Sequence, residues 1–268
     1  MRPPSSPASP TAPNETGRAE HRVVPVRCSV ARVWLLLAVG VLAATLSYAE
    51  PAQALEKRLL RRTLNGTPYR LFVPGGYSGR RAYPLVLFLH GGAGRGRDNE
   101  RHLRDGNGML LEMFVGAEKR FPAFVVAPQT SSEHDVQSTL AIVEAARAGY
   151  RIDMGKIYVV GQSLGGYGLL DLIAARPQLF AAAVVIAASG EPDRARSLAT
   201  TPTWFFHGEK DEVVPVDGVR RLVAAVKGAG GTVRYTECSG EGHGLVWLVA
   251  RERELVPWLF AQRRTRGE

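Results

Sequence analysis

The chain has few of the features that mark several protein classes. Only Cys28 and Cys238 are cysteines among its 268 residues, so a fold held by several disulfides and a multi-cysteine zinc site are excluded. The H-E-x-x-H motif is absent, as are clusters of His and Asp at ligand spacing, and we therefore expect no metal ion and no other cofactor. The net charge is +9, but the 34 Lys and Arg residues are scattered without a long basic run, so no nucleic-acid partner is expected.

The first 54 residues are predicted to be separate from the folded domain. Residues 1–29 are rich in Pro, Ser, Ala, Thr and Arg without apolar periodicity, which is typical of disorder. Residues 30–54 are predicted to be a signal peptide, because the uncharged run Val33–Leu46 follows basic residues and precedes a small-x-small cleavage site at Ala52–Ala54. This run is shorter than the roughly 20 residues of a spanning helix. We expect a secreted or periplasmic protein, with membrane contact only if the segment stays as an uncleaved anchor.

Strand and helix patterns alternate along residues 55–268, which we predict to form a single domain. The composition, 45% hydrophobic and 22% charged, is that of a globular protein. Asn65-Gly66 between two short strand patterns predicts an N-terminal antiparallel hairpin. Continuous apolar runs indicate strands buried on both faces at Pro84–Leu89, Phe124–Ala127, Lys156–Val160, Ala182–Ala187, Thr203–Phe206 and Val233–Cys238. Helical patterns follow at Val136–Ala148, from the glycines after Ser163 to about Ala175, at Val219–Lys227 and after His243. The sequence therefore predicts an α/β fold, with a mostly parallel central sheet and helices on both faces.

A G-x-S-x-G pattern at residues 161–165 lies between a predicted strand and a predicted helix. This context is typical of a nucleophile elbow, in which a strained turn exposes a serine side chain. Side chains two positions from that serine would collide with neighbouring backbone, and Gly161 and Gly165 have none. We therefore interpret Ser163 as a catalytic nucleophile, and the alternative is a glycine turn with an incidental serine.

A serine nucleophile needs a base, which we predict to be His243. In the chain order of this fold class the base follows the serine, which leaves His207 and His243. His243 lies in a glycine-rich loop after the last predicted strand, and such a loop can bring an imidazole to Ser163. His207 directly ends a strand, and we expect it to form a structural hydrogen bond that holds the neighbouring acidic loop.

The base in turn needs a carboxylate to orient it, and three acidic residues lie close together. Asp211 is the predicted partner of His243, because it lies in the loop that follows the preceding strand. Glu212 is expected to point away from Asp211 in a tight turn. Asp217 is expected to cap a helix that begins near Val219.

Two backbone amides are needed to stabilise an oxyanion. One is predicted to be the amide of Leu164, the residue after the nucleophile. The other is expected in the glycine-rich loop that follows the first parallel strand, at Gly92 or Ala93. A nucleotide-binding G-x-G-x-x-G loop is excluded here, because Arg97 stands at the position of the third glycine.

Motifs spread over nearly all of residues 55–268 match one enzyme family. They are Tyr83–Gly92, Asp98-Asn99, Ala127-Pro128-Gln129, Ile152-Asp153, Ile157-Tyr158, Gly161–Gly168, Leu179–Ala182, Phe206–Asp211, Val214-Pro215-Val216, Gly242-His243 and Trp258–Gln262. In these segments the chain resembles the secreted α/β-hydrolases of the phospholipase/carboxylesterase type. It is also similar to their relatives among feruloyl esterases and polyhydroxybutyrate depolymerases.

The resemblance implies an α/β-hydrolase fold without a large lid. It also implies that Ser163, Asp211 and His243 form a catalytic triad that cleaves carboxylic esters through an acyl-enzyme intermediate. Small-molecule or polymer-end esters are the expected substrates. Alternatives are a serine peptidase of the prolyl-oligopeptidase type and a non-catalytic surface protein with the hydrolase fold. The chain departs from the family at the substrate rim, where the segment after Gln129 is short and lacks a tryptophan, and where Trp247 follows His243 at a distance.

Overall fold

The computed structural model describes the backbone of residues 22–24 and the whole of residues 54–264. Arg22–Val24, from the segment predicted to be disordered, forms a short strand that pairs in parallel with the strand Val233–Cys238. The remainder of that segment and the predicted signal peptide up to residue 53 lie outside the described residues. Within the described part of the chain, no helix is both long and apolar enough to cross a membrane.

The described residues contain one nine-stranded sheet. Its strands are β1 (Arg22–Val24), β2 (Leu59–Leu64), β3 (Thr67–Phe72), β4 (Tyr83–Leu89), β5 (Phe124–Pro128), β6 (Ile152–Gln162), β7 (Ala182–Ile186), β8 (Thr203–Gly208) and β9 (Val233–Cys238). Their order across the sheet is β1-β9-β8-β7-β6-β4-β5-β3-β2. Only β3 runs antiparallel to its neighbours β2 and β5, and every other pair is parallel. The mostly parallel sheet predicted from the sequence is therefore confirmed.

Helices cover both faces of this sheet. They are α1 (Asp105–Gly116), α2 (Val136–Gly149), α3 (Leu164–Ala175), α4 (Ala195–Leu198), α5 (Val216–Gly228), α6 (Val246–Val249) and α7 (Leu255–Ala261). One face packs against the apolar residues of α2, α3, α4 and α5, and the other against those of α1, α6 and α7. The strands β4, β5 and β7 are almost wholly inaccessible to water, which explains why they are continuous apolar runs.

The N-terminal hairpin forms where it was predicted. Leu59 pairs with Phe72, and the turn residues Asn65 and Gly66 have φ values of 48° and 78°. Two successive positive φ angles are those of a type I′ turn, and asparagine and glycine adopt them most readily.

Three helices differ from the prediction. The short helix α4 and the helix α1 were not predicted; in α1, Gly106 and Gly108 in the first turns have low helix propensity and obscure the pattern. The helix α5 begins at Val216, after Pro215, rather than near Val219. Asp217 is therefore not a helix cap, and this expectation was wrong; it lies in the first turn of α5.

Candidate active site

Ser163 lies in a strained turn between β6 and α3. Its φ and ψ angles are 50° and −114°, a conformation that non-glycine residues seldom adopt, and its amide donates to the carbonyl of Ile186 at 2.8 Å. A Cβ atom at Gly161 would lie 2.2 Å from the carbonyl oxygen of Gly165, and one at Gly165 would lie 2.0 Å from that of Leu89. Neither position has room for a side chain, so the two glycines permit the tight turn.

Ser163, His243 and Asp211 form a hydrogen-bonded series. Nε2 of His243 lies 2.9 Å from Oγ of Ser163, and Nδ1 of His243 lies 2.8 Å from Oδ2 of Asp211. Because an ionised carboxylate only accepts hydrogen bonds, the imidazole donates through Nδ1 and Nε2 is left to accept the serine hydroxyl. The Asp211 side chain is fully buried and that of His243 is 24% exposed, so the series runs from the interior to the surface.

The loop after β8 fixes the second oxygen of Asp211. Oδ1 accepts the amides of Val213 at 2.9 Å and Val214 at 2.8 Å, which leaves Oδ2 for His243. Glu212, the neighbouring acid, is exposed to solvent. The last alternative, Asp217, accepts a hydrogen bond from Arg220 at 2.9 Å on the protein surface.

His207, at the end of β8, holds this acidic loop from the protein interior. Its side chain is fully buried, and Nε2–H donates to the carbonyl of Val214 at 2.8 Å and lies 3.3 Å from Oδ2 of Asp211. Burial lowers the pKa of His207, so the ring is neutral and donates through a single nitrogen. The structure thus gives His207 the loop-holding hydrogen bond predicted from the sequence.

Glu209 joins the acidic loop to the loop that carries His243. Its carboxylate accepts the hydroxyl of Ser239 at 2.7 Å and the amide of Gly240 at 2.9 Å, and the amide of Lys210 donates to the carbonyl of Glu241 at 2.8 Å. These bonds fix the two loops relative to each other. Sequence reasoning assigned no role to Glu209, although its place beside Asp211 was a usable signal.

The glycine-rich loop after β4 adjoins the serine turn. Gly92–Gly94 forms a single 3-10 turn, and a Cβ atom at Gly91 would lie 3.3 Å from the side chain of Gln162. Among the described residues, the amides of Gly92, Ala93 and Leu164 donate no hydrogen bond. These three amides are therefore available to a ligand.

Buried polar side chains hold this loop in place. Asn107 accepts the amide of Gly91 at 2.9 Å, and Gln129 donates to the carbonyl of Gly94 at 3.2 Å. His90 donates from Nδ1 to the carbonyl of Gly91 at 2.8 Å, and its Nε2 accepts the amide of Thr130 at 3.1 Å. The sequence analysis missed these roles, because a lone Asn or His in a sequence does not indicate its partner.

Three buried histidines lie behind the glycine-rich loop. The ring of His90 lies 4.5 Å from that of His134 and 6.0 Å from that of His102. Burial lowers the pKa of His90, and it lowers the pKa values of His102 and His134 to about 3. All three rings are therefore neutral near pH 7. The described residues contain no group of three His, Cys, Asp or Glu side chains arranged to hold a metal ion.

One protein-family model matches the part of the chain that carries this site. The model of the dienelactone hydrolase family matches residues 117–253, which is about half of the chain and includes Ser163, Asp211 and His243. The chain belongs to the dienelactone hydrolase family. The expected membership of an α/β-hydrolase family is thereby confirmed.

Two curated relatives of this member of the dienelactone hydrolase family are named as esterases. A protein of Nocardia uniformis subsp. tsuyamanensis, named as an esterase, is 29% identical over 56% of this chain and 47% of its own length. A protein of Aspergillus terreus, named as a feruloyl esterase, is 30% identical over 59% of each chain. The chain thus spans about half the length of the curated relatives it matches.

Solved structures share the fold of this family member. A thermostable esterase is 34% identical, with a TM-score of 0.71 over 79% of this chain and 64% of that chain. The feruloyl esterase module of Clostridium thermocellum has a TM-score of 0.61 at 14% identity, over 79% of this chain and 90% of that chain. The second likeness concerns the fold alone, and together they confirm the predicted α/β-hydrolase fold.

Proposed function

We propose that the protein hydrolyses carboxylic esters, with Ser163 as nucleophile, His243 as general base and Asp211 as the residue that orients the base. The observation that carries the proposal is the hydrogen-bonded series from Ser163 Oγ through His243 to the buried Asp211. Membership of the dienelactone hydrolase family and the esterase names of the two curated relatives support the same reaction class.

The hydrogen bonds define the path of the proton. As Ser163 Oγ attacks the ester carbonyl carbon, its proton passes to Nε2 of His243, 2.9 Å away. The imidazolium that forms is stabilised by Asp211, which keeps its negative charge and holds Nδ1–H in the required tautomer. Two amide donors on Oδ1 in turn keep the Asp211 carboxylate in a fixed orientation.

The carbonyl oxygen gains negative charge in this step. We assign its stabilisation to the amide of Leu164 and to the amides of Gly92 and Ala93, which have no acceptor among the described residues. The N-terminal end of α3 adds the positive end of its dipole beside Leu164.

The reaction then proceeds through a covalent intermediate. The carbon–oxygen bond to the alcohol breaks, the alcohol takes the proton from His243, and the acyl group stays on Ser163. Water, deprotonated by the same imidazole, attacks the acyl-enzyme and releases the acid and the free serine. We propose small-molecule or polymer-end esters as substrates, because Ser163 and His243 are both partly exposed to solvent.

Turnover of p-nitrophenyl acetate by the purified protein tests the proposal. We expect the Ser163→Ala and His243→Ala variants to lose activity by about 10⁴-fold or more while circular dichroism stays unchanged. A p-nitroanilide of the same acid, assayed in parallel, tests amide cleavage, for which we expect no turnover. Equal activity of wild type and Ser163→Ala on the acetate ester would reject the nucleophile. Faster anilide than ester cleavage would favour a peptidase.

A further inference from the structure

The exposed large hydrophobic side chains of the described residues are concentrated around the candidate active site. There are five, and three of them lie within four residues of Ser163, Asp211 or His243 in the sequence. These three are Tyr167, 41% exposed, Val213, 68% exposed, and Trp247, 36% exposed. We call this set the apolar rim.

Each member of the apolar rim is attached to the site by a short, ordered connection. The amide of Tyr167 donates to the carbonyl of Ser163 at 3.1 Å, one helical turn along α3. The amide of Val213 donates to Asp211 itself at 2.9 Å. Trp247 stands in α6 one turn after His243, next to the buried Val246.

Single exposed hydrophobic residues are common on protein surfaces and need no explanation. Three of them, each within four residues of a different member of the hydrogen-bonded series, are a different case, because exposed apolar surface concentrated at a site marks ligand or partner binding. Their backbones are fixed by the hydrogen bonds just described. Binding of a ligand to these side chains therefore costs little conformational entropy of the backbone.

We propose that the apolar rim binds a hydrophobic group of the ester substrate, larger than acetyl, on an open surface beside Ser163. This inference rests on the proposed function and names the substrate class of the same site. The occupant is the substrate because two of the rim residues are hydrogen-bonded directly to the series, through the Tyr167 amide on Ser163 and the Val213 amide on Asp211. Arg251 lies over one face of the Trp247 indole, with its guanidinium 5.6 Å from the ring centroid.

The proposal predicts the size of the preference. A fully buried methylene improves binding by a factor of about 4, and a group covered on one side gains about half of that free energy, a factor of about 2. Four added methylenes, from acetyl to hexanoyl, should therefore raise kcat/KM by about 16-fold. The gain should lie mainly in KM, because the rim contacts a part of the substrate that does not react.

The test compares kcat/KM for p-nitrophenyl hexanoate and acetate in the wild type and in Tyr167→Ser, Val213→Ser and Trp247→Ser. A second series, phenyl acetate against 2-naphthyl acetate, distinguishes an apolar alcohol group from an apolar acyl group. Leu60→Ser is the matched control, since Leu60 is 41% exposed on the edge strand β2, remote from the sheet edge that carries Ser163.

We expect at least two rim variants to lower the ratio for one series by threefold or more, and Leu60→Ser to leave both ratios unchanged. Ratios that stay within twofold in all rim variants, or that fall equally in Leu60→Ser, would overturn the proposal. A rim that is instead an interface between two copies would show unchanged ratios together with a change of mass in analytical ultracentrifugation, which also overturns it.

A binding assay on the inactive Ser163→Ala variant tests the apolar rim independently of the reaction. The dissociation constant of p-nitrophenyl hexanoate, measured by ultrafiltration, should rise at least threefold when Trp247→Ser or Val213→Ser is added. This measurement does not depend on turnover. If the wild type fails to cleave any ester, the proposed function fails, whereas an unchanged dissociation constant in the double variants rejects the rim alone.

Discussion

His134 donates a hydrogen bond from Nε2 to the backbone carbonyl of His90, at 3.0 Å. His90 begins the glycine-rich loop, and a Cβ atom at Gly168 of α3 would lie 2.7 Å from Cβ of His134. His134 thus stands between the loop that offers free amides and the helix that begins beside Ser163. The bond fixes the spacing between two parts of the candidate site that are far apart in sequence.

The first prediction concerns this contact. Replacing His134 by Leu leaves the buried His90 carbonyl without its donor, and we expect kcat to fall by about tenfold with little change in KM, because misplaced oxyanion donors weaken transition-state binding. His134→Gln retains an N–H donor and should recover part of the loss. Steady-state kinetics on a small ester measure both. Equal kcat values for the wild type and a folded His134→Leu variant would contradict this role.

The second prediction concerns stability in acid. His102 and His134 have folded pKa values of about 3 against the ordinary 6.5, so the unfolded chain binds more protons below pH 6.5 and stability is lost as the pH falls. At pH 5 each residue should reduce the free energy of unfolding by up to about 2 kcal/mol relative to pH 8. Asp98 does not act in this range, since hydrogen bonds led by the Arg101 amide lower its pKa to about 2.

Denaturant unfolding between pH 8 and pH 5 measures this loss. The variant His102→Leu fills the same buried position without a titrating group. We expect the slope of its unfolding free energy against pH to be smaller than that of the wild type by the equivalent of about one bound proton. Identical slopes for the wild type and His102→Leu would show that His102 does not titrate on unfolding.

The third prediction separates the three neighbouring acids. Asp211→Asn should lower kcat by about 10⁴-fold with the fold intact, because the amide no longer holds His243 in the required tautomer. Glu212→Gln and Asp217→Asn should keep most of the activity, since Glu212 is exposed and Asp217 contacts Arg220 on the surface. The measurement is kcat of the three variants with circular dichroism. An inactive Glu212→Gln or Asp217→Asn would reassign the orienting carboxylate.

The fourth prediction concerns the serine turn. An alanine at Gly165 would place its Cβ 2.0 Å from the backbone oxygen of Leu89, which cannot yield without moving β4. We expect Gly165→Ala to cost about 3 kcal/mol or more, or to prevent folding. The control Gly149→Ala lies at a helix end with no atom within 4 Å and should change stability by less than about 1 kcal/mol. Thermal melts of both variants measure the difference in stability, and similar melting temperatures would contradict the steric role of Gly165.

The fifth prediction concerns the N-terminal segment, for which we propose cleavage after Ala54 and export. Ala54 is exposed, whereas the next residue, Leu55, is 2% exposed in the core, and Glu56 pairs with the buried Arg70 at 2.8 Å. Cleavage would keep these contacts and remove β1, which leaves β9 as the sheet edge. Mass spectrometry of the protein from its own host should give a chain that begins at about Leu55. A soluble intracellular protein that retains residues 1–54 would contradict the proposal.

The sequence predicted the strands well, because runs such as β4 and β7 must be apolar on both faces and so have a plain pattern. The prediction missed α1, because the glycines of this helix are needed for close packing rather than for a turn. A Cβ at Gly106 would lie 2.4 Å from a methyl carbon of Val246. The start of α5 was misplaced because Pro215, rather than Asp217, precedes its first turn.

The candidate site was predictable where chemistry and local geometry coincide. Ser163 stands in a pattern that a strained turn requires, and the series with His243 and Asp211 follows the chain order of the fold. The side chains that hold these groups were not predicted. Asn107 accepts one hydrogen bond and Glu209 accepts two, all from residues distant in the chain, and such partners depend on tertiary packing.

The distribution of the site over the sheet also links activity to folding. Ser163 follows β6, Asp211 follows β8 and His243 follows β9, and 80 residues separate the serine from the imidazole. Contacts of such high sequence separation form late, because a long loop must close before they are made. A chain in which β9 has not docked therefore has its serine turn but lacks the base. Recovery of esterase turnover during refolding would therefore report the docking of β9, and a chain that has not reached this stage would not cleave esters.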